Sequence, residues 1–273
     1  MSELPEIESV VYFLRPHLVN RTIKKVILEK ESILVNCSKL DLINHLTNRT
    51  IIDFSRRGKI LIFFLDDQSK LFIHPRMVGQ LITCYKEFPE IKHTHFKMEF
   101  DNHEEFRYID VRRLGKLYYL RDGEDVSVTG IHKLGLEYND SQFNIEYLKL
   151  HLSQFKKTIK DALLDQSIIT GIGNIYADEI LFSAGIIPNK KAKALSDNEI
   201  NDLFVSIQDT LDNYTEINES VSYDEYLKGE GRDFKNMHIL RLYDSENCPV
   251  CGDKLTRIKI STRTTVYCPH CQK

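Results

Sequence analysis

After Pro5, the apolar residues Ile7, Val10, Val11, Leu14 and Leu18 recur at helical spacing, which predicts one amphipathic helix from Pro5 to about Leu18. Pro5 suits the first helical position, where its missing N–H costs nothing, so residues 2–4 are expected just ahead of the positive end of the helix dipole. The next hundred residues follow another rhythm. Short runs near 23–29, 50–54, 59–65, 70–74, 80–85, 95–100, 105–110 and 116–120 are rich in Ile, Val, Phe and Tyr and are separated by Gly, Asp, Asn and Pro. Many short strands at this spacing predict a sandwich or barrel. After Gly135 apolar positions return to a spacing of three to four through about residue 217, with Ser196–Glu199 (SDNE) reading as a capping-box start. The stretch TIKDALLDQSIITGIGNIYADEILFSAGI reads as helix, glycine-punctuated turn and helix, with Asn174 placed to cap the second helix. Residues 220–236 are polar and contain Gly229 and Gly231, the composition of a mobile loop.

The fold class is therefore α+β in two domains, which suits a chain of 273 residues with 42% hydrophobic and 28% charged side chains. No apolar run approaches the roughly 18 residues of a membrane helix. The start MSELPEIE lacks the basic-then-apolar order of a signal peptide, so a cytoplasmic protein without membrane association is expected. A net charge of −3 argues against nucleic acid when taken whole, but a phosphate backbone feels the local distribution. Residues 106–121 carry Arg107, Arg112, Arg113, Lys116 and Arg121 against Asp110, a local balance of +4. Residues 235–273 also balance at +4, whereas 196–230 stand at −9. That segregation admits nucleic acid as a partner.

Of six cysteines, Cys37 and Cys84 stand alone in apolar stretches and read as buried small hydrophobes. The other four form Cys248-Pro-Val-Cys251 and, sixteen residues later, Cys268-Pro-His-Cys271, the spacing of a zinc ribbon. Four thiolates fill a tetrahedral shell and leave no position for water or substrate, so one structural Zn2+ is expected. The intervening LTRIKISTRTTVY alternates as a hairpin does, which places Arg263 near its tip, where a guanidinium suits a phosphate.

Several stretches occur in one order along nearly the whole chain: SELPEIE, FSRRGKILIFFL, IHPRMVGQL, DVRRLGKL, LLDQSIITGIGNIYADEILFSAGI and CPVC followed by RTTVYCPHCQ. Together they resemble the formamidopyrimidine-DNA glycosylase and endonuclease VIII family of bacteria. The resemblance implies an N-terminal β-sandwich catalytic domain over 1–130, a helix-two-turns-helix domain over 131–236 whose loop 220–235 covers the flipped base, and a zinc β-hairpin over 237–273. Damaged double-stranded DNA would lie between the domains, bound by a monomer that needs no small-molecule cofactor. It also implies a bacterial cytoplasmic protein, associated with the nucleoid when bound to DNA.

Residue by residue, the resemblance implies that the α-amine of Ser2 attacks the sugar after removal of Met1, where the family normally has proline. Glu3 matches the acid that assists base loss, Glu6 a second carboxylate, and Lys59 the lysine on the phosphate beside the lesion. His74, Asn174 and Arg263 match phosphate contacts. Met77 and Arg112 match the residues that fill the hole left by the extruded base, Arg112 reading the orphaned cytosine, and Leu114 stands where the family usually has phenylalanine. The expected function is excision of oxidised purines such as 8-oxoguanine and formamidopyrimidines, with abasic-site cleavage by β,δ-elimination. The alternative is a catalytically weakened or inactive protein of the same fold that binds damaged DNA, because Ser2 replaces the proline.

Overall fold

The computed structural model describes residues 3–77, 79–227 and 240–273. They fall into two units, one of Glu6–His132 and the other of Glu3–Pro5 with Lys133–Lys273.

The opening helix α1 runs Leu4–Leu18, so Leu4 rather than Pro5 takes the first position. Its apolar stripe, including Ile7, Leu14 and Leu18, is buried as the spacing required. All eight expected strands form: β1 (Ile23–Leu28), β2 (Ile51–Arg57), β3 (Ile60–Leu65), β4 (Lys70–His74), β5 (Gln80–Tyr85), β6 (Thr94–Phe100), β7 (Glu104–Ile109) and β8 (Lys116–Leu120). They make two four-stranded antiparallel sheets, ordered β1-β6-β7-β5 and β2-β3-β4-β8. The space between the sheets is filled by aromatic rings, with Phe63 packed at 4.5 Å on Phe54 and edge-on at 5.3 Å to Phe106.

This strand order has a consequence for the loops. Because β4 pairs with β8 and β5 with β7, the β4–β5 and β7–β8 connections cross between the sheets side by side. One further element, α2 (Lys39–Leu46), was not legible in the pattern. It is short, its Ser38 cap accepts from the Asp41 amide, and only Leu42 and Leu46 of it are buried.

In the second unit, α3 (Ile145–Gln154), α4 (Ile159–Leu163), α5 (Asn174–Ser183), α6 (Asp197–Glu219) and α7 (Tyr223–Leu227) precede a hairpin of β9 (Thr256–Ile260) and β10 (Arg263–Tyr267). The SDNE box closes as read, with Ser196 and Glu199 capping each other's amides at the start of α6. Leu203, Ile207 and Leu211 turn inward from that helix while Asp202, Asp209, Asp212 and Glu216 face solvent. The polar stretch from residue 220 starts with α7 rather than irregular chain, because Ser222 and Glu225 form another reciprocal cap. Its remainder, including Gly229 and Gly231, lies outside the described residues. Among the described residues no helix is long and apolar enough to cross a membrane.

Candidate functional site

In the second unit Glu3 is buried at 2% exposure and its carboxylate sits on the N-terminus of α5. It accepts from the backbone N–H groups of Gly173 (2.8 Å), Ile175 (3.0 Å) and Tyr176 (3.2 Å). These are the orphan donors of a helix start, and they carry the positive end of its dipole. A side chain on Gly173 would displace that carboxylate, since a Cβ at that position would stand 2.2 Å from Glu3 Cδ. Asn174 was expected to cap this helix. The cap position is instead Gly173, and Glu3 from the far end of the sequence takes the amides.

Asn174 is thereby released for another contact: its Nδ2 donates to the Thr264 carbonyl of β10 at 3.0 Å, and its Oδ1 is buried with no hydrogen-bond partner among the described residues. Arg263, exposed at the head of β10, is the residue next to Thr264, so Asn174 is tied to the edge of the strand that carries Arg263. What holds that edge is a residue the sequence did not flag. Lys160 of α4 is fully buried, and its Nζ donates to Asp178 Oδ1 (2.7 Å), Thr265 Oγ1 (2.8 Å) and the Thr264 carbonyl (3.3 Å). The second oxygen of Asp178 accepts from Val266 N–H at 3.1 Å. Burial lowers the Lys160 ammonium from its ordinary pKa and raises the Asp178 carboxyl to about 6, each opposed by attraction to the other.

The four cysteine sulfurs all lie within 4.8 Å of one another, with Cys248 to Cys271 at 3.8 Å and Cys251 to Cys268 at 3.5 Å. Sulfurs on a tetrahedral zinc at about 2.3 Å would be about 3.8 Å apart, so the donor set fits one Zn2+ with no open position. Cys248 and Cys268 also pack with Leu242, Leu255 and Val266 against Phe182 of α5, which ties the hairpin to the helix that Glu3 caps. Cys84 is buried and Cys37 half-buried, as small apolar residues would be.

The first unit carries the other candidates. Glu6 lies in the first turn of α1, 7% exposed. Lys59 follows Gly58, whose positive φ of 55° makes the tight β2–β3 turn. The register that pairs Leu61 with Ile73 carries this turn to the end of β4, where His74 stands. Nδ1 of His74 accepts from the Arg76 amide at 3.2 Å, which leaves Nε2 to carry the proton and act as a donor. Burial, with smaller contributions from the Arg76 and Lys59 charges, lowers the His74 pKa to about 3, so the ring is neutral at ordinary pH.

The adjacent crossover loops bring Met77 and Arg112 together, with the guanidinium 3.7 Å from the Met77 sulfur. Met77 and Leu114 are exposed at 38% and 41%, apolar side chains offered to solvent on neighbouring loops. Arg107 belongs to this basic segment in the sequence but not to its exposed face. It is wholly buried, bound to the Glu105 carboxylate and to the carbonyls of Pro89 (2.7 Å) and Phe88 (2.8 Å), and contributes nothing to an exposed face. Ser2 lies outside the described residues.

Three family models match the chain in succession: the formamidopyrimidine-DNA glycosylase N-terminal domain over residues 1–117, its H2TH domain over 134–225, and the zinc finger found in FPG and IleRS over 245–273. The formamidopyrimidine-DNA glycosylase of Lactobacillus johnsonii is 36% identical over 274 aligned residues, covering 100% of this chain and 99% of that protein. That of Ureaplasma parvum is 35% identical with full coverage of both chains. The Fpg of Lactococcus lactis, solved in complex with a FAPY-dG containing DNA, superposes with a TM-score of 0.89 at 31% identity over 99% of this chain and 100% of that one. The same protein solved with an abasic site containing DNA gives a TM-score of 0.89. With a helix cap, a four-thiolate centre and a two-sheet sandwich arranged along a full-length match of this kind, the chain belongs to the formamidopyrimidine-DNA glycosylase family.

Proposed function

We propose that this protein removes oxidised purines such as 8-oxoguanine and formamidopyrimidines from duplex DNA and then cuts the strand at the abasic site. The Ser2 α-amine, exposed by loss of Met1, attacks C1′ of the damaged nucleotide. The base departs with its bonding electrons, and a proton delivered by Glu3 at the sugar ring oxygen assists ring opening to a Schiff base. β- and δ-elimination then break the two sugar C–O bonds and expel the flanking phosphates, and water hydrolyses the remaining imine to release the unsaturated sugar remnant and regenerate the amine. An α-amine titrates near about 7.7 to 8.0, so an appreciable fraction is a free nucleophile at neutral pH. The primary amine of serine forms an imine directly. It lacks only the ring by which proline restricts its own orientation.

The observation that carries this reading is the seat of Glu3. Bound to three amides at the start of α5, it fixes the residue next to the nucleophile on a rigid element. Lys59, the neutral His74 donor, Asn174 and Arg263 serve as phosphate contacts, and Met77, Arg112 and Leu114 fill the space of the extruded base. Bound zinc supplies no chemistry here; Cys248, Cys251, Cys268 and Cys271 hold it so that the hairpin presents Arg263. The solved Lactococcus lactis complexes contain FAPY-dG and abasic-site DNA, which supports the same substrate class for this chain. Incubation with a duplex containing 8-oxoguanine should release the base and leave a strand ending in 3′ phosphate. Tight binding of that duplex with no release of any oxidised purine would favour an inactive damage-binding protein instead.

A further inference from the structure

The two loops that carry Met77, Arg112 and Leu114 share one buried support. Tyr108, near the end of β7, has no exposed surface, and its ring lies against both loops where each has a glycine. A Cβ on Gly79 would approach Tyr108 Cε2 to 2.8 Å, and one on Gly115 would stand 1.7 Å from the Tyr108 hydroxyl. That hydroxyl donates at 3.1 Å to Oδ2 of Asp110, which is equally buried. Asp110 in turn organises the second loop, its carboxylate accepting from the amides of Arg112 (3.0 Å) and Gly115 (2.8 Å). Its carbonyl accepts from His95 Nε2 (2.9 Å) and from the Arg113 amide (3.2 Å). Each loop also contains an arginine in the left-handed region, Arg76 at φ 60° and Arg113 at φ 57°. Side chains with a Cβ seldom adopt that conformation unless their surroundings impose it.

We propose that Tyr108 and Asp110 are positioning residues that hold the two loops in one fixed arrangement, so that this buried pair sets how strictly the protein discriminates the base opposite the lesion. The inference rests on the reading that Met77, Arg112 and Leu114 enter the duplex. Neither Tyr108 nor Asp110 reaches the surface, so both act through the loops alone. Burial, reinforced by the Asp110 charge, raises the Tyr108 phenol well above its ordinary pKa, which keeps the hydroxyl a donor. Tyr108→Phe keeps the ring against Gly79 and removes only the bond to Asp110, while Asp110→Asn preserves size but replaces one acceptor oxygen with a donor.

The test measures kcat/KM on duplexes with 8-oxoguanine opposite cytosine and opposite adenine, alongside the thermal midpoint. Wild type is expected to favour cytosine. Tyr108→Phe is expected to narrow that preference by about tenfold, the scale of one lost base-reading contact, at a nearly unchanged midpoint. Asp110→Asn, if it folds, should narrow it further. A Tyr108→Phe variant that keeps the wild-type ratio, or slows both duplexes equally, overturns the proposal, as does a wild type that excises without opposite-base preference. A wild type that excises from neither duplex overturns the functional reading instead.

Discussion

Replacing Lys160 with methionine should loosen the edge that presents Asn174 and Arg263 without touching either. The substitution keeps the length of the buried stem but removes the ammonium from Asp178, Thr264 and Thr265, leaving Asp178 with the Val266 amide as its remaining partner among those described. Breaking a buried pair from one side typically costs about 3 to 5 kcal/mol, because the surviving charge stays desolvated. Asp178 already has its pKa raised to about 6 by burial, and loss of the lysine raises it further. A carboxyl whose folded pKa lies above its unfolded value contributes stability at low pH that is lost as pH rises through the folded pKa. The Lys160→Met deficit should therefore be larger at pH 8 than at pH 5. Hydrogen exchange of the Val266 amide reads this locally, and at pH 8 its protection should fall on the order of a hundredfold or more. Adding Asp178→Asn removes the charge while keeping an acceptor for Val266, so the double variant should recover most of the loss. Protection within about threefold of wild type in Lys160→Met, or a double variant no better than the single, would refute the claim that this ion pair braces the hairpin.

Other perturbations address the remaining parts. Gly173→Ala forces a Cβ to within 2.2 Å of Glu3 Cδ, and displacing that carboxylate should reduce excision on the order of a hundredfold with DNA binding largely kept, as single-turnover kinetics and a binding titration would show. His74, with its pKa lowered to about 3 from 6.5, binds no proton in the folded state where the unfolded chain does, so it destabilises the fold increasingly as pH falls below 6.5. At pH 5 that penalty is about 2 kcal/mol. Denaturant titrations at pH 5 and 7.5 should show a correspondingly smaller pH effect in His74→Gln. Removal of zinc by chelation, or Cys268→Ser, should unfold the hairpin and abolish DNA binding while the sandwich's near-ultraviolet dichroism persists, with metal analysis giving one zinc per intact chain.

The sandwich was legible because its strands are short, β-branched and aromatic, and separated by turn residues; every run named from the sequence became a strand. The zinc centre was legible for a different reason, since four cysteines in two close pairs specify their own geometry. Long-range polar pairings were not legible. Glu3 caps a helix 170 residues away, and nothing local to GIGN marks which side chain takes its amides, so the local pattern points to Asn174 for a role that Glu3 fills. Lys160 sits in an ordinary amphipathic stretch and Arg107 in a basic run; both read as solvated until tertiary structure buries them beside carboxylates and carbonyls. The support given by Tyr108 was hidden for the same reason, although the glycines it contacts, Gly79 and Gly115, were present in the motifs.

The proposed excision requires the second residue of this chain to be a nucleophile toward damaged DNA. Borohydride reduction during incubation with an 8-oxoguanine duplex, followed by peptide mass spectrometry, tests it directly. A covalent protein–DNA adduct is expected on the α-amine of Ser2, with Met1 removed. Absence of an adduct alongside tight binding and no base release, or an adduct on a lysine side chain instead, would contradict it.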